Sequence, residues 1–119
     1  MHELGMMTGV VDAVSEAARN AGATRVLEVN LSVGEMTEAI EDCLVFAFEA
    51  LTEGNELMEG SKLNLTMVHP HSKCLECGVE FDHDRFHMTC PECGSIATEL
   101  LAGRDLRIDN IEVDLPDDE

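Results

Sequence analysis

Four of the five cysteines occur in two pairs whose spacing is typical of a metal site. Cys74 and Cys77 form one CxxC pair, Cys90 and Cys93 form another, and 12 residues separate the pairs. A CxxC turn presents two thiolates to one ion, and zinc takes four such ligands in tetrahedral geometry. Four thiolates leave no open position for catalysis. The pattern therefore predicts a structural Zn(II) site, which a segment with so little apolar periodicity needs in order to fold.

The alternatives or additions to the zinc site are a redox role for the CxxC pairs, the fifth cysteine and the nearby histidines. A thioredoxin-like dithiol is the rival to zinc, but it requires a single CxxC that opens a helix after a strand, and neither pair has that setting. Cys43 lies on the apolar face of a predicted helix and is expected to be a core thiol. The histidines around the pairs are mostly expected to be solvated loop residues: His69, His71, His83 and His87.

The first three residues, Met1, His2 and Glu3, form the second group that could hold a metal ion. The imidazole of His2, its own amide nitrogen and neighbouring backbone nitrogens can form fused chelate rings around one ion. Such a planar nitrogen set suits Ni(II) or Cu(II) rather than zinc. The residues alone leave the alternative open that His2 is a terminal histidine in solvent.

Two amphipathic helices are predicted outside the cysteine-rich segment. The first ends at 20–22, and Gly5 and Gly9 predict an irregular start. Its apolar positions recur at helical spacing: Leu4, Met7, Val11, Val14, Ala18 and Ala21. The second is predicted to be capped by Thr37, with Glu38, Glu41 and Asp42 in its first turns, and to stop at Gly54. Its buried stripe is Ile40, Leu44, Ala47 and Leu51, widened by Cys43 and Phe48.

Three strands are predicted from apolar residues that alternate with polar ones. The first spans 25–33 and buries Leu27, Val29, Leu31 and Val33. The second spans 62–68, with Leu63, Leu65 and Met67 on one face. In the third, over 104–115, the apolar phase slips after Ile108, which predicts a bulge near Asp109 and Asn110.

The predicted fold class is α+β, because two helices packed on a small three-stranded sheet give the two layers that a small core requires. A four-cysteine, zinc-ribbon-like module is inserted between the second and third strands, since a strand pattern resumes after it. The predicted domains are 1–68 plus 104–119 for the α/β part and 69–103 for the zinc-binding module.

The charge balance excludes several functions. The chain of 119 residues has 25 acidic and 7 basic side chains, a formal net charge of −18. Binding a phosphate backbone or an anionic membrane requires a basic surface, so neither nucleic acid nor membrane is an expected partner.

No apolar run approaches the roughly 20 residues that span a bilayer. The start lacks the features of a signal peptide, and the predicted location is cytoplasmic.

Several motifs together resemble the HypA family, the nickel metallochaperones that serve maturation of NiFe-hydrogenases. The likeness covers essentially the whole chain in the expected order. It comprises the MHEL start, the segment VVDAVSEAARNAGATRV, LEVNLSVGEM, LVFAFEALTEG, the paired CxxC motifs and the ending GRDLRIDNIEVD. One departure is Gly94 after the last cysteine, where many members carry a histidine.

The resemblance implies a non-enzymatic chaperone that carries Ni(II) and contains a structural Zn(II). His2 matches the family's nickel ligand, with Met1 and Glu3 contributing backbone donors or lying next to the ion. The implied zinc ligands are Cys74, Cys77, Cys90 and Cys93. The implied partners are a HypB-type GTPase and the hydrogenase large subunit precursor. The part comprising 1–68 and 104–119 is then the nickel-binding domain.

Two other classes of function remain to be compared with this one. The first is a zinc-ribbon protein-interaction module that carries no nickel. The second is a nucleic-acid-binding ribbon, which the charge disfavours because Lys73, Arg85 and Arg104 are the basic residues in or beside the module. Within the family, nickel supply to urease through urease maturation proteins is an alternative to hydrogenase.

Overall fold

The computed structural model describes residues 2–116. This part of the chain contains two α-helices and six strands, with a short 3-10 turn at Glu35–Thr37, and the last five strands follow one another after the second helix. The bounds are α1 His2–Asn20, β1 Arg25–Gly34, α2 Glu41–Thr52, β2 Lys62–Val68, β3 His71–Cys74, β4 Glu80–Asp82, β5 Thr98–Ala102 and β6 Leu106–Asp114.

The strands form two three-stranded sheets. The first has the order β2-β1-β6 and the second the order β4-β3-β5. In the first sheet, β1 and β6 run antiparallel, because Thr24 before β1 bonds to the end of β6 and Gly34 bonds to Asp105 before β6. In contrast, β1 and β2 run in the same direction, so this sheet is mixed. The predicted α+β fold, with two helices, a three-stranded sheet and a cysteine-bearing insertion, is confirmed.

The chain divides into two compact units. The helical unit comprises Met1–Leu31, Ala39–Leu65 and Ile108–Glu119, and the cysteine unit comprises Ser32–Glu38 and Thr66–Arg107. The predicted division by function, into a nickel-binding and a zinc-binding domain, stays a prediction. In the described residues, no helix is both long and apolar enough to cross a membrane.

The core of the helical unit is formed where α1 and α2 pack against each other. On α1 the predicted positions Met7, Val11, Val14 and Ala18 are buried. Leu4 at the first turn is 43% exposed, and Ala21 lies beyond the helix end in solvent. The prediction of an irregular start is wrong, because α1 is continuous from His2 through both of its glycines.

The predicted start of the second helix is wrong. The α2 helix begins at Glu41, and its N-cap residue is Ile40, which is 60% exposed rather than part of the buried stripe. Thr37 belongs to the 3-10 turn, and its hydroxyl donates to the carbonyl of Gly34 at 2.8 Å. The turn ends at Glu38, whose φ of 63° is left-handed and cannot continue a helix.

The three predicted strands are present as β1, β2 and β6, although β6 begins at Leu106 rather than at 104. Val29, Leu31 and Val33 of β1 are buried as predicted, but Val26 is buried in place of Leu27, which is 38% exposed. Buried residues three positions apart break the two-residue alternation at the start of β1, and at its end the four residues 31–34 are all buried. In β6 the predicted change of phase is present. Asp109 and Asn110 are both exposed, with half-buried apolar residues on either side.

Candidate metal centre

The first cysteine pair sits at the end of β3 in a turn closed by backbone hydrogen bonds. The Cys74 N–H donates to the carbonyl of Val79 at 2.8 Å, and the Gly78 N–H donates to the carbonyl of Cys74 at 3.0 Å. Gly78 has a φ of 79°, a conformation that a residue with a Cβ rarely adopts. The glycine after the CxxC pair is therefore what closes this turn.

The second pair repeats this backbone pattern. The Cys90 N–H donates to the carbonyl of Ser95 at 2.9 Å, and the Gly94 N–H donates to the carbonyl of Cys90 at 2.9 Å. Gly94 also lies in the left-handed region, with a φ of 74°. The two CxxC segments thus have the same local structure, and each presents two thiols in the same way.

The four predicted zinc ligands come together in one cluster. All four Sγ atoms lie within 4.8 Å of one another. The Cys74 and Cys93 sulfurs are 3.6 Å apart, and so are those of Cys77 and Cys90. Tetrahedral zinc with Zn–S bonds of about 2.3 Å requires sulfurs about 3.8 Å apart. The donor set and its dimensions fit zinc.

The thiols titrate unequally because their surroundings differ. The backbone N–H of Cys77, 3.4 Å from the Cys74 sulfur, is the main group that lowers the pKa of Cys74 to about 6. The Ser95 backbone N–H acts in the same direction on Cys93, but the neighbouring thiol of Cys74 and burial outweigh it and raise the pKa of Cys93 to about 12. Four thiolates in so small a volume repel one another, and a bound dication removes that repulsion.

Among residues 2–116, no histidine belongs to this thiol cluster. His71 lies on β3 with Nδ1 2.6 Å from Asp82 and Nε2 2.9 Å from Glu80, so both of its nitrogens face carboxylates. Glu80 first and then Asp82 raise the pKa of His71 above its ordinary value. His83 contacts the hydroxyl of the buried Ser72 at 2.7 Å.

The other two histidines of the module are solvated, and each lies beside one carboxylate. His69 is 76% exposed and lies 2.9 Å from Glu35, and His87 is 80% exposed and lies 2.8 Å from Asp84. The prediction of solvated histidines holds for these two, while His71 and His83 are half-buried and have fixed partners. Cys43 lies half-buried on α2 and is not part of the thiol cluster.

At the start of α1, an exposed imidazole lies next to a buried carboxylate. The His2 side chain is 54% exposed, and its Nδ1 is 3.6 Å from Oε1 of Glu3. Glu3 is only 7% exposed, and its Oε2 accepts a hydrogen bond from the backbone N–H of Ile40 at 3.1 Å. That hydrogen bond is the main cause that lowers the pKa of Glu3. Met1 lies outside the described residues.

The sequence interpretation missed two features of the cysteine unit. The first is the β4-β3-β5 sheet, whose strands have three to five residues and alternate weakly. The second is the position of His71 between two carboxylates, which depends on the register that places His71 opposite Asp82 and Lys73 opposite Glu80. One sequence signal could have indicated both features. Basic side chains alternate in HSKC (His71 and Lys73) and acidic ones in EFD (Glu80 and Asp82), as expected for two paired strands with opposite charges on one face.

Comparison with known proteins identifies the family. Residues 1–113 match the model of the family described as HypA, hydrogenase/urease nickel incorporation, metallochaperone. The chain belongs to the HypA family. The predictions of a hydrogenase-maturation nickel metallochaperone, and of a protein that is not an enzyme, are confirmed by this membership.

Individual relatives agree along the whole chain. The chain is 36% identical to the hydrogenase maturation factor HypA of Methanocaldococcus jannaschii, covering 98% of this chain and 100% of that protein. It is 34% identical to HypA of Acidithiobacillus ferrooxidans, covering 96% and 100%. The solution structure of the Ni metallochaperone HypA from Helicobacter pylori has a similar fold, with a TM-score of 0.71 and 19% identity over 96% of this chain and 98% of that one.

Proposed function

We propose that this chain holds one Ni(II) at its first residues and releases it to the precursor of a NiFe-hydrogenase large subunit. The observation that carries this proposal is the exposed His2 imidazole beside the fixed carboxylate of Glu3. An exposed donor is accessible to a recipient, while a buried carboxylate that is tied to the backbone holds that donor at a defined place.

The proposed donors are nitrogens that a helix start leaves available. The first N–H groups of an α-helix have no intrahelical acceptor, so the amide nitrogen of His2 is not used by α1. Together with the imidazole of His2 and the amine of Met1 it gives a chelating nitrogen set of the kind that Ni(II) prefers. Glu3 contributes a backbone atom or a negative charge next to the ion.

The proposed mechanism of delivery is ligand exchange. Nitrogen donors at an exposed site can be replaced one at a time by the thiolates of the recipient. Since the chain lacks a Gly-rich phosphate loop, a HypB-type GTPase would supply any nucleotide hydrolysis. Urease is the alternative recipient, because the matching family is described for both enzymes.

The thiol cluster supports a resident structural zinc in the same proposal. Cys74, Cys77, Cys90 and Cys93 would hold the ion, which supplies a cross-link between two segments of the chain. Thiols stay reduced in the cytoplasm, which we propose as the place where the protein acts.

Calorimetric titration of nickel into the zinc-loaded protein tests the proposed nickel site. His2→Ala is expected to abolish nickel binding and to leave the zinc content and thermal stability nearly unchanged, because the side chain is exposed. A two-residue extension at the N-terminus is expected to weaken binding, since it converts the amine of Met1 into an amide. Equal nickel affinity in all three forms would refute the site and favour a zinc-ribbon interaction module.

A further inference from the structure

The outward face of α2 carries a line of acidic residues with one aromatic ring among them. Asp42, Phe46, Glu49 and Glu53 follow one another at intervals of four, three and four residues, which places them along one side of the helix. All four are exposed, and Phe46 is 68% exposed. A large apolar ring in this position is not explained by the core, which lies on the opposite side of α2.

The charge of this face is not neutralised within the protein. Residues 26–61 contain nine acidic side chains and no lysine or arginine. In the described part of the chain no ion pair involves Asp42, Glu49 or Glu53. Arg25 reaches this region from β1, but it donates to the backbone carbonyl of Glu59 at 2.6 Å and not to a carboxylate.

A small cavity of about 250 Å³ adjoins the same acidic residues. Phe48 and Thr52 line it together with three carboxylates, those of Glu49, Glu53 and Glu59. Pockets that hold drug-sized ligands and cofactors measure about 300–1,000 Å³, so this cavity is suited to a single side chain.

An unsatisfied hydroxyl is found at the edge of this cavity. Ser61 lines it, and the Ser61 Oγ is buried without a hydrogen-bond partner among the described residues. Buried polar groups are normally paired, and an unpaired one costs stability. Rotation of the Ser61 side chain toward the cavity would let an entering donor supply the missing partner. This observation is independent of the acidic residues.

We propose that this surface, defined as Phe46, Glu49, Glu53 and the adjoining cavity, docks an arginine-bearing segment of a partner protein. One arginine would lay its aliphatic stem on Phe48 and Thr52 and direct its guanidinium to Glu49 and Glu53, which match its planar set of donors. A second cation would stack on the ring of Phe46. A second copy of this chain is a poor occupant, because its net charge is −18.

Peptide titration followed by NMR of the full-length, zinc-loaded protein tests this inference. The probe is an amidated 12-residue peptide containing four arginines, and its matched control has citrulline, which is uncharged, in place of each arginine. The arginine peptide is expected to shift amide signals of α2 and of residues 59–61, and the citrulline peptide is not. Because exposed cation–π contacts are worth about 0.5–1 kcal/mol, Phe46→Ala should weaken binding by about two- to fivefold.

A pair of double variants separates this surface from general attraction by the acidic protein. E49Q/E53Q removes two charges four residues apart at the C-terminal end of α2, where Glu53 is the C-cap residue, and D12N/E16Q removes two with the same spacing from the exposed face of α1. E49Q/E53Q is expected to weaken binding strongly, and D12N/E16Q only slightly. Ser61→Ala should weaken binding without lowering the melting temperature, because it removes an unsatisfied group.

Several results would overturn the proposal. Equal losses in the two double variants, or equal binding of the citrulline peptide, would mean that net charge alone attracts the probe. Self-association that depends on Phe46, seen by sedimentation, would assign the surface to a second copy. None of these readouts involves nickel, so they are independent of the nickel site proposed at His2.

Discussion

The carboxylate of Glu3 accepts a hydrogen bond at 3.1 Å from the backbone N–H of Ile40, which lies 37 residues further along the chain. Ile40 is the N-cap residue of α2 and supplies no side-chain cap of its own. A residue of α1 therefore satisfies a backbone donor at the start of α2. Because Glu3 directly follows His2, this bond anchors the chain next to the proposed nickel ligand.

Two substitutions of Glu3 are expected to separate its role as the acceptor for the Ile40 N–H from the effect of its negative charge on nickel affinity. Glu3→Ala should lower the melting temperature by several degrees, since the Ile40 N–H loses its acceptor. Glu3→Gln keeps an oxygen that can accept this bond, so it should retain most of the stability and reduce nickel affinity less than Glu3→Ala does. Thermal melts and nickel titrations of both variants check this, with Glu16→Ala on the same helix as the exposed control. An unchanged melting temperature in Glu3→Ala would contradict the structural role.

Much of the helical unit could be predicted from sequence because its signals are local. The apolar residues of α1 and α2 recur at helical spacing, and most of them are buried where expected. The start of α2 could not be predicted in this way. Thr37 has the chemistry of an N-cap, but its hydroxyl bonds back to Gly34, and the left-handed Glu38 ends that turn. Local propensity does not show whether a hydroxyl accepts from the N–H groups of a following helix or donates to a preceding carbonyl.

The thiol cluster and the contacts of Glu3 and His71 also differ in how far local sequence predicts them. The thiol cluster follows from spacing, because two CxxC turns of identical pattern contain all four thiols. The contacts of Glu3 with Ile40 and of His71 with Glu80 and Asp82 instead depend on tertiary packing and strand register. For Glu3 no local pattern indicates the partner, and for His71 the alternation in HSKC and EFD indicates two strands but not the register that pairs them.

Removal of one thiol from the cluster should unfold the cysteine-rich segment locally. Cys90→Ala leaves three thiols, and we expect loss of zinc and of the β4-β3-β5 sheet while α1 and α2 persist. In zinc-finger peptides structural zinc contributes about 10–16 kcal/mol of binding free energy, far more than this short sheet can replace. Cys43→Ala is the matched control, because its thiol lies on α2 and outside the cluster.

Metal analysis and NMR of the two cysteine variants check this expectation. The Cys90→Ala spectrum should lose dispersed signals for residues 71–102 and retain those of the helical unit, whereas Cys43→Ala should retain both and a full equivalent of zinc. Full zinc content in Cys90→Ala, or no zinc in the unaltered protein, would show that the four thiols are not the ligands.

The contacts of His71 with Glu80 and Asp82 form an imidazolium clamp between two carboxylates. This clamp should make the cysteine unit more stable at mildly acidic pH than at alkaline pH. Only an imidazolium can donate to both carboxylates, and Glu80 and Asp82 raise the pKa of His71 in the folded state. The unfolded value is about 6.5. The stabilisation is therefore fully present below about pH 6.5 and is lost as the pH rises through the raised folded-state pKa.

Comparison of His71→Gln with the unaltered protein isolates this contribution. At saturating zinc, the difference between the two melting temperatures should be largest near pH 6 and shrink toward pH 9. His87→Gln is the control, since its ring is 80% exposed and so exposed a contact with a carboxylate contributes little. A difference that grows with pH would have the wrong sign and would exclude the imidazolium clamp.

Gly34 and Gly103 should be the least replaceable glycines of the cysteine unit, because their backbones are in direct contact. A Cβ on Gly34 would overlap the carbonyl group of Gly103, and a Cβ on Gly103 would lie 2.7 Å from the Cα of Pro70. Gly103 also has a φ of 97°, which disfavours any residue with a side chain. Hydrogen bonds from Met36 to Gly103 and from Gly34 to Asp105 depend on this close approach.

Alanine at either position is expected to destabilise the protein by about 1–3 kcal/mol, the usual range for an overpacked site. Gly9→Ala is the matched control. Gly9 lies on the exposed side of α1, and a Cβ there would have nothing within 4 Å, so alanine should stabilise the helix by about 0.5–1 kcal/mol. Denaturant unfolding of the three zinc-loaded variants measures these values. A Gly34→Ala protein as stable as Gly9→Ala would show that the two segments do not approach each other this closely.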